Sequence, residues 1–390
     1  MIFQVYLNSG NVAAQLPGFE NLPETVYIKW NILLQLREEI QMAAKVYFKK
    51  VDTSFSEAEI SAVAREVLEA LLEREDPGLL PEIPVKLHFG ERGNRTYIPQ
   101  NCYLNVIDLL EKRGSKLCYA ETNVLYGGSR ANGENHRKLA ADHGFDRLPV
   151  VIADGSSGED SCNVAVPGGK HFKTASIAGF LAKSEQCVVL SHFKGHMLAG
   201  FGGAIKQLSM GFASKGGKMA MHLGVKPRIR KWLCKSCGLC AKRCNENAIS
   251  QGKKSYVIDP EKCIGCGACY SICPHYAVSI LSLGGLWNAL TGGRIFREKL
   301  VEYAMAAHHG KKNIYINFCI NVTNGCDCEP HPMRRCVSDI GVFASLDPVA
   351  IDQACYNAVA EQGKRFRGKE QLNYAAKIGL GSTEYELIEL

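Results

Sequence analysis

The sequence predicts an α/β protein in which a mostly parallel sheet, with helices on both faces, is interrupted by an inserted ferredoxin-like (α+β) module. Strand-like and helix-like segments alternate along most of the chain, as in parallel sheets whose strands are joined by helices. One cysteine-rich stretch breaks the alternation and contains the spacing C-x-x-C-x-x-C-x-x-x-C twice. We therefore expect an N-terminal extension over residues 1–44, an α/β domain in two parts over 45–230 and 284–390, and the insertion over 231–283.

The periodicity of apolar residues predicts the individual elements. Residues 56–73 have helical spacing, and Ser56 with Glu59 fits a capping box at the start of that helix. Further helices are expected over 99–112, 132–142, 173–183, 296–307 and 348–361. Strands are expected over 83–89, 116–120, 150–153, 186–190, 313–318 and 340–344, and the extension is expected to hold a strand at 2–7 and a helix at 30–43.

The composition is that of a soluble globular protein of two or three domains. The chain has 390 residues, of which 46% are hydrophobic and 22% are charged. No stretch approaches the apolar length of a membrane span, and the N-terminus shows no secretion signal. Eight of the 17 cysteines lie in the repeated runs, where cluster binding needs reduced thiolates. We therefore expect a cytoplasmic and anaerobic setting.

The basic residues are concentrated in one part of the chain. The net charge is +7, and two oxidised clusters at about −2 each would lower it to about +3. Residues 161–245 contain fourteen Lys or Arg residues and a single acid, Glu185. A solvated basic face is one interpretation, and an anionic substrate or an acidic electron carrier is the other. Nucleic acid is not favoured, since no aromatic interleaving and no reading motif accompany the charge.

The repeated cysteine spacing predicts two [4Fe–4S] clusters. Three thiolates at i, i+3 and i+6 hold three irons of one cubane, and the fourth cysteine of each run reaches the neighbouring cubane. Cluster one is expected to take Cys234, Cys237, Cys240 and Cys273, and cluster two to take Cys263, Cys266, Cys269 and Cys244. A zinc ribbon is the alternative, but zinc takes two plus two cysteines across a longer gap.

The carboxyl ends of the strands are where an open α/β sheet binds its ligands. Six strand ends, the last leading to Ser345 and Asp347, are expected to bring polar side chains to one edge. The expected substrate-binding residues are Lys86, His88, Arg130, Asp154, Lys206, Lys218 and His222. The expected catalytic residues are His192, Lys194 and His196. Any one of these could instead be structural, but their number at one edge predicts a pocket.

The segment from His192 to His222 is rich in glycine and lysine. A helix starting near Gly203 would direct its positive end at an anion. On a helix, His192 and His196 would share a face, although the glycines and the preceding strand leave that conformation open. The chain has neither a P-loop, which excludes a nucleotide triphosphatase, nor a G-x-G-x-x-G fingerprint to support flavin or nicotinamide binding.

A second cysteine cluster follows the expected strand 313–318. Cys326 and Cys328 with His331 form C-D-C-E-P-H, and Cys319 or Cys336 could join them. The pair is a candidate for an additional metal or a redox thiol, while simple burial is the alternative.

At these motifs the chain resembles the iron–sulfur center proteins built on domain of unknown function 362. The resemblance covers about residues 45–380 and rests on VKLHFGE, LYGGSRAN, VIADG, SHFKGHMLAGFGGAIKQLSMGFASKGGKMAMH, the two cysteine runs, CDC and DIGVFASLDPVAIDQA. It implies a ferredoxin-like module with two clusters inserted in an α/β domain, and it implies no particular reaction.

The leading hypothesis is an iron–sulfur oxidoreductase. A low-potential carrier of the ferredoxin or flavodoxin type would supply electrons through two [4Fe–4S] clusters to a small anionic substrate at the strand ends. Lys194, Lys206 and Lys218 would bind the anion, and His192 or His196 would supply protons. The alternatives are a non-catalytic electron-transfer protein that docks a larger redox partner, and a maturation factor for a metal cofactor.

Overall fold

The computed structural model describes residues 43–125, 128–223, 227–244, 247–263, 268–279 and 293–390. The strand expected at 2–7 and almost all of the helix expected at 30–43 lie outside these ranges, as does Cys266. Residues Ala44–Leu390 form one compact unit. The expected division into an α/β domain and an insertion stays a prediction.

Strands and helices alternate through this unit. In chain order the strands are β1 (Ala44–Lys50), β2 (Glu82–Lys86), β3 (Lys116–Glu121), β4 (Val150–Ile152), β5 (Ser161–Ala165), β6 (Thr174–Ala178), β7 (Val188–His192), β8 (Lys194–His196), β9 (Gly200–Gly202), β10 (Arg228–Ile229), β11 (Ile249–Gln251), β12 (Tyr256–Ile258), β13 (Val278–Ser279), β14 (Ile314–Cys319), β15 (Gly341–Ser345) and β16 (Tyr385–Glu389). The helices are α1 (Glu57–Glu75), α2 (Leu104–Lys112), α3 (Gly133–Asp142), α4 (Gly179–Lys183), α5 (Ala204–Phe212), α6 (Lys215–Leu223), α7 (Leu239–Lys242), α8 (Ala268–Ile272), α9 (Arg294–His308), α10 (Pro348–Glu361) and α11 (Glu370–Lys377). A 3₁₀ turn, Gln100–Tyr103, precedes α2.

Eight strands form the main sheet, in the order β16-β1-β15-β14-β7-β2-β3-β4. The run from β14 to β4 is parallel throughout. Strand β15 runs antiparallel to both of its neighbours, β14 and β1, and β16 pairs parallel with β1. The predicted fold class, a mostly parallel sheet with helices, is therefore confirmed.

The sheet buries both of its faces. Along β7, Val189 belongs to one apolar core, while Val188 and Leu190 on either side of it belong to the other. The first core includes side chains of α5, α9 and α10, and the second includes side chains of α1 and α2. Since alternate residues of a strand point to opposite faces, helices cover the sheet on both sides.

Local signals explain several element boundaries. Helix α1 begins after Ser56, which forms the predicted capping box with Glu59. Helix α5 follows Gly203, as predicted. The helix expected over 173–183 is wrong: residues Thr174–Ala178 form a strand paired antiparallel with β5, and only Gly179–Lys183 are helical. The cause is a strand partner that the local apolar pattern did not reveal.

The cysteine-rich segment forms its own small structure. Strand β10 pairs antiparallel with β13, and β11 pairs antiparallel with β12. Two short helices, α7 and α8, follow the cysteine-bearing loops. A small apolar core contains Ile249, Cys269 and Val278. Within the described ranges, no helix combines the length and apolar character needed to cross a membrane.

Candidate functional site

The carboxyl ends of five neighbouring parallel strands, β14, β7, β2, β3 and β4, lie at one edge of the sheet. A cavity of about 280 Å³ opens there. It is lined by His88, Glu121, Thr122, Val124, Leu125, Arg130, His196, Met197, Leu198, Lys206, Gln207, Met210, Gly211, Lys218, His222, Phe296, Cys328 and Glu329. Six of the ten predicted binding and catalytic residues therefore line one cavity. Lys86, Asp154, His192 and Lys194 are not among its lining residues.

The sixth expected strand end does not reach this edge. Because β15 is antiparallel to β14, its Ser345 end lies at the opposite edge of the sheet. Asp347 has a structural role there, since its Oδ1 accepts hydrogen bonds from the backbone N–H groups of Val349 at 2.7 Å and Ala350 at 2.9 Å. This side chain caps α10 rather than contributing to the cavity.

Lys86 and Arg130 are buried cations near the cavity, and each is paired with a buried acid. Lys86 Nζ lies 2.9 Å from Glu121 Oε1, and both side chains are almost completely buried. Arg130 Nε lies 3.1 Å from Glu91 Oε2, and an Arg130 guanidinium nitrogen lies 2.9 Å from His88 Nε2. Burial lowers the pKa of Lys86, and the Glu121 carboxylate opposes that shift. Ion pairs therefore compensate the charge of Lys86 and Arg130.

His192 and Lys194 are engaged by the carboxylate of Asp327. His192 Nδ1 lies 3.0 Å from Asp327 Oδ2, and its Nε2 lies 2.9 Å from the carbonyl oxygen of Ile320. Lys194 donates to the same carboxylate and to the carbonyl of His192. Burial raises the pKa of Asp327, but Lys194 and His192 outweigh it and hold that pKa well below its usual range. His192 is the last residue of strand β7, and His196 is the last residue of β8, which pairs with β9. These two histidines therefore do not share a helix face.

Lys218 is buried against oxygen acceptors in the residues that directly follow β3 and α5. Its Nζ donates to Thr122 Oγ1 and the Asn123 carbonyl, each at 2.6 Å, and to the Ala213 carbonyl at 3.1 Å. Burial lowers the pKa of Lys218 to about 8, although Asp154 and Glu121 oppose the shift. Burial also raises the pKa of Asp154. Lys218 can therefore gain or lose its proton near neutral pH.

Two thiols, an imidazole and an amine meet at one corner of the cavity, which we call the thiol corner: Cys326, Cys328, His196 and Lys206. One ring nitrogen of His196 and the two sulfur atoms lie within 4.8 Å of one another. Lys206 Nζ donates to Cys326 Sγ at 3.5 Å. A hydrogen bond from the Cys328 thiol, reinforced by the charge of Lys206, lowers the pKa of Cys326 well below its usual value despite burial. The same hydrogen bond, with burial, raises the pKa of Cys328.

The thiol corner differs from the group that the sequence suggested. His331 is mostly exposed and lies 3.4 Å from Glu329. Cys319 is buried in the first core beside Cys355. Cys336 is half-buried and packs against that same core. The imidazole near the thiols is His196, whose Nδ1 accepts hydrogen bonds from the backbone N–H groups of Leu198 at 3.2 Å and Ala199 at 3.0 Å.

The three histidines that line the cavity are uncharged at neutral pH. Burial lowers the pKa of His196 to about 3 and that of His222 to about 4. Burial also lowers the pKa of His88 well below its usual value. The ring of His222 lies 5.0 Å from that of Phe296, at the side of the cavity formed by α6 and α9. These rings offer neutral N–H groups or lone pairs rather than positive charge.

The cysteine-rich segment brings the expected ligands of cluster one together. A small cavity is lined by Cys234, Cys237, Cys240 and Cys273, together with the side chains around them. Four thiols around one cavity are a donor set that suits a [4Fe–4S] cluster and also a zinc ion. For cluster two, Cys244 and Cys269 pack in the same small core, and Cys263 is half-buried.

The fourth cysteine of each run makes the same backbone contact. The N–H of Ala248 donates to Cys244 Sγ at 3.3 Å, and the N–H of Ala277 donates to Cys273 Sγ at 3.3 Å. Each donor lies four residues after its cysteine. Such N–H···S bonds stabilise thiolate charge at a cluster.

The sequence pattern of the family named domain of unknown function DUF362 matches residues 83–357. The chain belongs to the DUF362 family.

Curated relatives match this DUF362 protein over stretches of 39 to 47 residues. Ferredoxin Fdx2 of Sorangium cellulosum is 45% identical over 47 residues, which are 10% of this chain and 46% of the ferredoxin. Ferredoxin 7Fe of Hydrogenibacillus schlegelii is 44% identical over 39 residues, or 10% of this chain and 50% of that protein. Ferredoxin-1 of Chlorobaculum tepidum is 43% identical over 47 residues, which are 10% of this chain and 76% of that ferredoxin. The chain thus spans about half the length of the first two relatives.

Two solved structures resemble the DUF362 chain weakly. A protein from Thermotoga maritima has a TM-score of 0.40 and 11% identity, with 80% of this chain and 60% of that chain covered. The lactate racemase apoprotein from Thermoanaerobacterium thermosaccharolyticum has a TM-score of 0.37 and 13% identity, with 72% of this chain and 51% of that chain covered.

Sequence reasoning did not select several residues of the DUF362 site. Glu91, Glu121 and Asp327 are the acids that pair with the predicted cations. Each follows or ends a strand, and Asp327 lies between the two cysteines of the CDC motif. Their positions at or after strand ends were the signal that could have identified them, whereas the cation that each acid pairs with depends on the tertiary fold. The position of Phe296 against His222 depends on the tertiary fold alone.

Proposed function

We propose that this protein is an iron–sulfur oxidoreductase that reduces a small anionic substrate in the strand-edge cavity. Electrons enter from a low-potential carrier of the ferredoxin or flavodoxin type. One observation carries the proposal: a single chain holds a ferredoxin-like segment and a cavity of about 280 Å³ whose wall includes Arg130, Lys206 and Lys218. An electron relay alone has no need of such a cavity.

The cluster ligands in this proposal follow the cysteine spacing. Cys234, Cys237, Cys240 and Cys273 hold one [4Fe–4S] cluster, and Cys263, Cys266, Cys269 and Cys244 hold the other. The shared cavity of the first four cysteines and the matching N–H···S bonds support this assignment. When bound, the two clusters supply electrons one at a time.

The cavity residues then have separate roles. The ammonium group of Lys206 and the guanidinium of Arg130 bind the anionic part of the substrate. Lys218 donates a proton, since its pKa of about 8 allows it to be protonated before transfer and neutral afterwards. His192 and Lys194 act as positioning residues, because both are hydrogen-bonded to the buried carboxylate of Asp327.

The proposal is tested by reducing the protein without oxygen and adding candidate acceptors. The brown cluster absorbance should bleach on reduction and return when a small anionic acceptor is added. In the Lys206→Met variant, the absorbance should still bleach on reduction but should not return when the anionic acceptor is added. Lys215→Met is the matched control, because Lys215 lies on the neighbouring helix α6 and bonds the Ala131 carbonyl at 3.0 Å. Equal reoxidation of the Lys206 and Lys215 variants would refute the role of the cavity.

A second function is favoured by exposed apolar side chains on the cysteine-rich segment. Trp232 is 77% exposed and Tyr276 is 82% exposed, and Leu239, Tyr270 and Ile272 are also exposed. Such a surface suits docking of a protein redox partner. In that case reoxidation would require a protein acceptor, and no small anion would restore the cluster absorbance. Trp232→Ala would then slow transfer to that acceptor.

A further inference from the structure

We propose that Cys326 and Cys328 form a redox-active dithiol that reduces a ligand in the strand-edge cavity by closing to a disulfide. This inference deepens the proposed function, and it rests on that function for the source of the electrons. The two cysteines are separated by one residue and lie in a tight turn, since the N–H of Glu329 donates to the carbonyl of Cys326 at 2.9 Å. Their sulfur atoms are within 4.8 Å of one another, so side-chain rotation can bring them to bonding distance.

The two sulfur atoms have different environments. Cys326 is buried and receives a hydrogen bond from Lys206 Nζ at 3.5 Å, and a second one from the Cys328 thiol. Cys328 is half-buried and lines the cavity. The pair therefore holds one negative charge and one proton between its two sulfur atoms. Cys328 is the sulfur that a cavity ligand can reach, and Cys326 is the sulfur behind it.

The surroundings of the thiol corner favour a dithiol over a metal site. Nδ1 of His196 already accepts two backbone hydrogen bonds, so the proton of the neutral ring resides on Nε2. Histidines that bind metal through one nitrogen usually donate a hydrogen bond from the other, which is the reverse of this arrangement. The ammonium of Lys206 beside Cys326 would also repel a cation.

The reaction balances with these groups. Cys328 passes its proton to Cys326 and attacks one sulfur of a small disulfide ligand, and the first leaving thiolate takes a proton from Lys206. Cys326 then attacks the Cys328 sulfur, and its proton goes to the second leaving thiolate. The products are two ligand thiols and a Cys326–Cys328 disulfide, and Lys206 regains its proton from water. Two electrons from a reduced ferredoxin-type protein and one proton restore the thiolate–thiol pair.

A thiol redox titration tests the pair without relying on turnover. The complete protein is equilibrated in dithiothreitol redox buffers without oxygen, quenched with acid, labelled with N-ethylmaleimide in denaturant so that buried thiols react, and digested with trypsin. Residues 313–334 form one tryptic peptide with three cysteines, Cys319, Cys326 and Cys328. The peptide should carry three labels when reduced and one when oxidised, in a single two-electron transition. Three labels at every potential, or labelling that appears only after a chelator removes a metal, would overturn the proposal.

Two internal comparisons sharpen the titration. Cys319 and Cys355 are also neighbouring thiols, but both are completely buried in the core, so they should stay reduced. Lys206→Met removes the cation that stabilises the reduced pair, so the disulfide should become at least about tenfold more favoured, a shift of about 30 mV to lower potential. Lys215→Met should leave the transition unchanged. Equal midpoint potentials in the Lys206 and Lys215 variants would contradict the proposed stabilisation of the reduced dithiol by Lys206.

A trapping experiment separates this inference from the proposed function. Cys326→Ser removes the second sulfur, so attack on a small disulfide should release one half of it as a thiol and leave the other half attached to Cys328 as a mixed disulfide. The probes are dithiodipropionate, a dianion, and cystamine, a dication of similar length. Attachment of neither probe would overturn the dithiol. Attachment of both at equal rates would support the dithiol and refute the preference for an anion in the proposed function.

Discussion

Replacing Glu121 by Gln should strongly destabilise the fold at neutral pH, because it leaves the ammonium of Lys86 without its ion pair. The side chain of Lys86 is completely buried, and its Nζ lies 2.9 Å from Glu121 Oε1. At an effective dielectric constant of 20, this distance corresponds to a gross attraction of about 6 kcal/mol. Removing one partner of a buried pair costs about 3 to 5 kcal/mol.

The cost should depend on pH in a defined direction. Burial already lowers the pKa of Lys86, and Glu121 is the main group that opposes this shift. In Glu121→Gln the pKa of Lys86 in the folded state falls further below its value in the unfolded state. At any pH between these two pKa values, the unfolded state therefore binds more protons than the folded state. Stability of the variant relative to the native protein should therefore rise as the pH increases from 7 towards 10.

Urea denaturation followed by far-ultraviolet circular dichroism measures this effect. With an m-value of about 3 kcal/mol/M, a loss of about 3 to 5 kcal/mol lowers the midpoint by about 1 to 1.7 M at pH 7. Adding Lys86→Met to Glu121→Gln should recover most of the loss, because the uncompensated charge is gone. A loss below about 1 kcal/mol, or a loss that does not change with pH, would refute the reasoning.

Three further predictions concern the clusters, a helix cap and the cavity. Protein purified without oxygen should contain about eight irons and eight sulfides per chain by chemical analysis, and about four irons would contradict the two-cluster assignment. Asp347→Ala should lower the free energy of unfolding by about 1 to 2 kcal/mol in urea titrations, because the cap of α10 is lost; Asp347→Asn should retain most of it. Anion affinity should fall as the pH rises through about 8, where Lys218 loses its charge, and calorimetry on Lys218→Met should show no such fall.

The parallel part of the sheet was predictable because its strands and helices alternate locally. The antiparallel direction of β15 was also accessible, since no helix was expected between residues 313–318 and 340–344 and a parallel connection needs a crossover. The pairing of β1 with β16 was not predictable from the sequence, because these strands lie at opposite ends of the described unit. Pairings so distant in sequence leave no local periodic signal.

The candidate site was predictable in its residue types but not in its pairings. Strand ends supplied the cations and histidines, and most of them line the cavity. The approach of His196 to Cys326, 130 positions further along the chain, depends on the neighbouring positions of β7 and β14 in the sheet. The charge count over residues 161–245 was incomplete for the same reason, since the acids that pair with Lys170 and Lys194 come from elsewhere in the chain.

The ion pairs at the strand edge affect how fast a ligand arrives. Lys86, Arg130 and Lys194 each have a carboxylate within contact distance, so their fields largely cancel a short way outside the protein. Long-range steering requires an uncompensated field, and salt weakens it. These three ion-paired cations should therefore add little to the rate of ligand association or to its dependence on ionic strength. Any discrimination among ligands by these three cations would then occur after the ligand has entered the cavity, at distances where individual hydrogen bonds act.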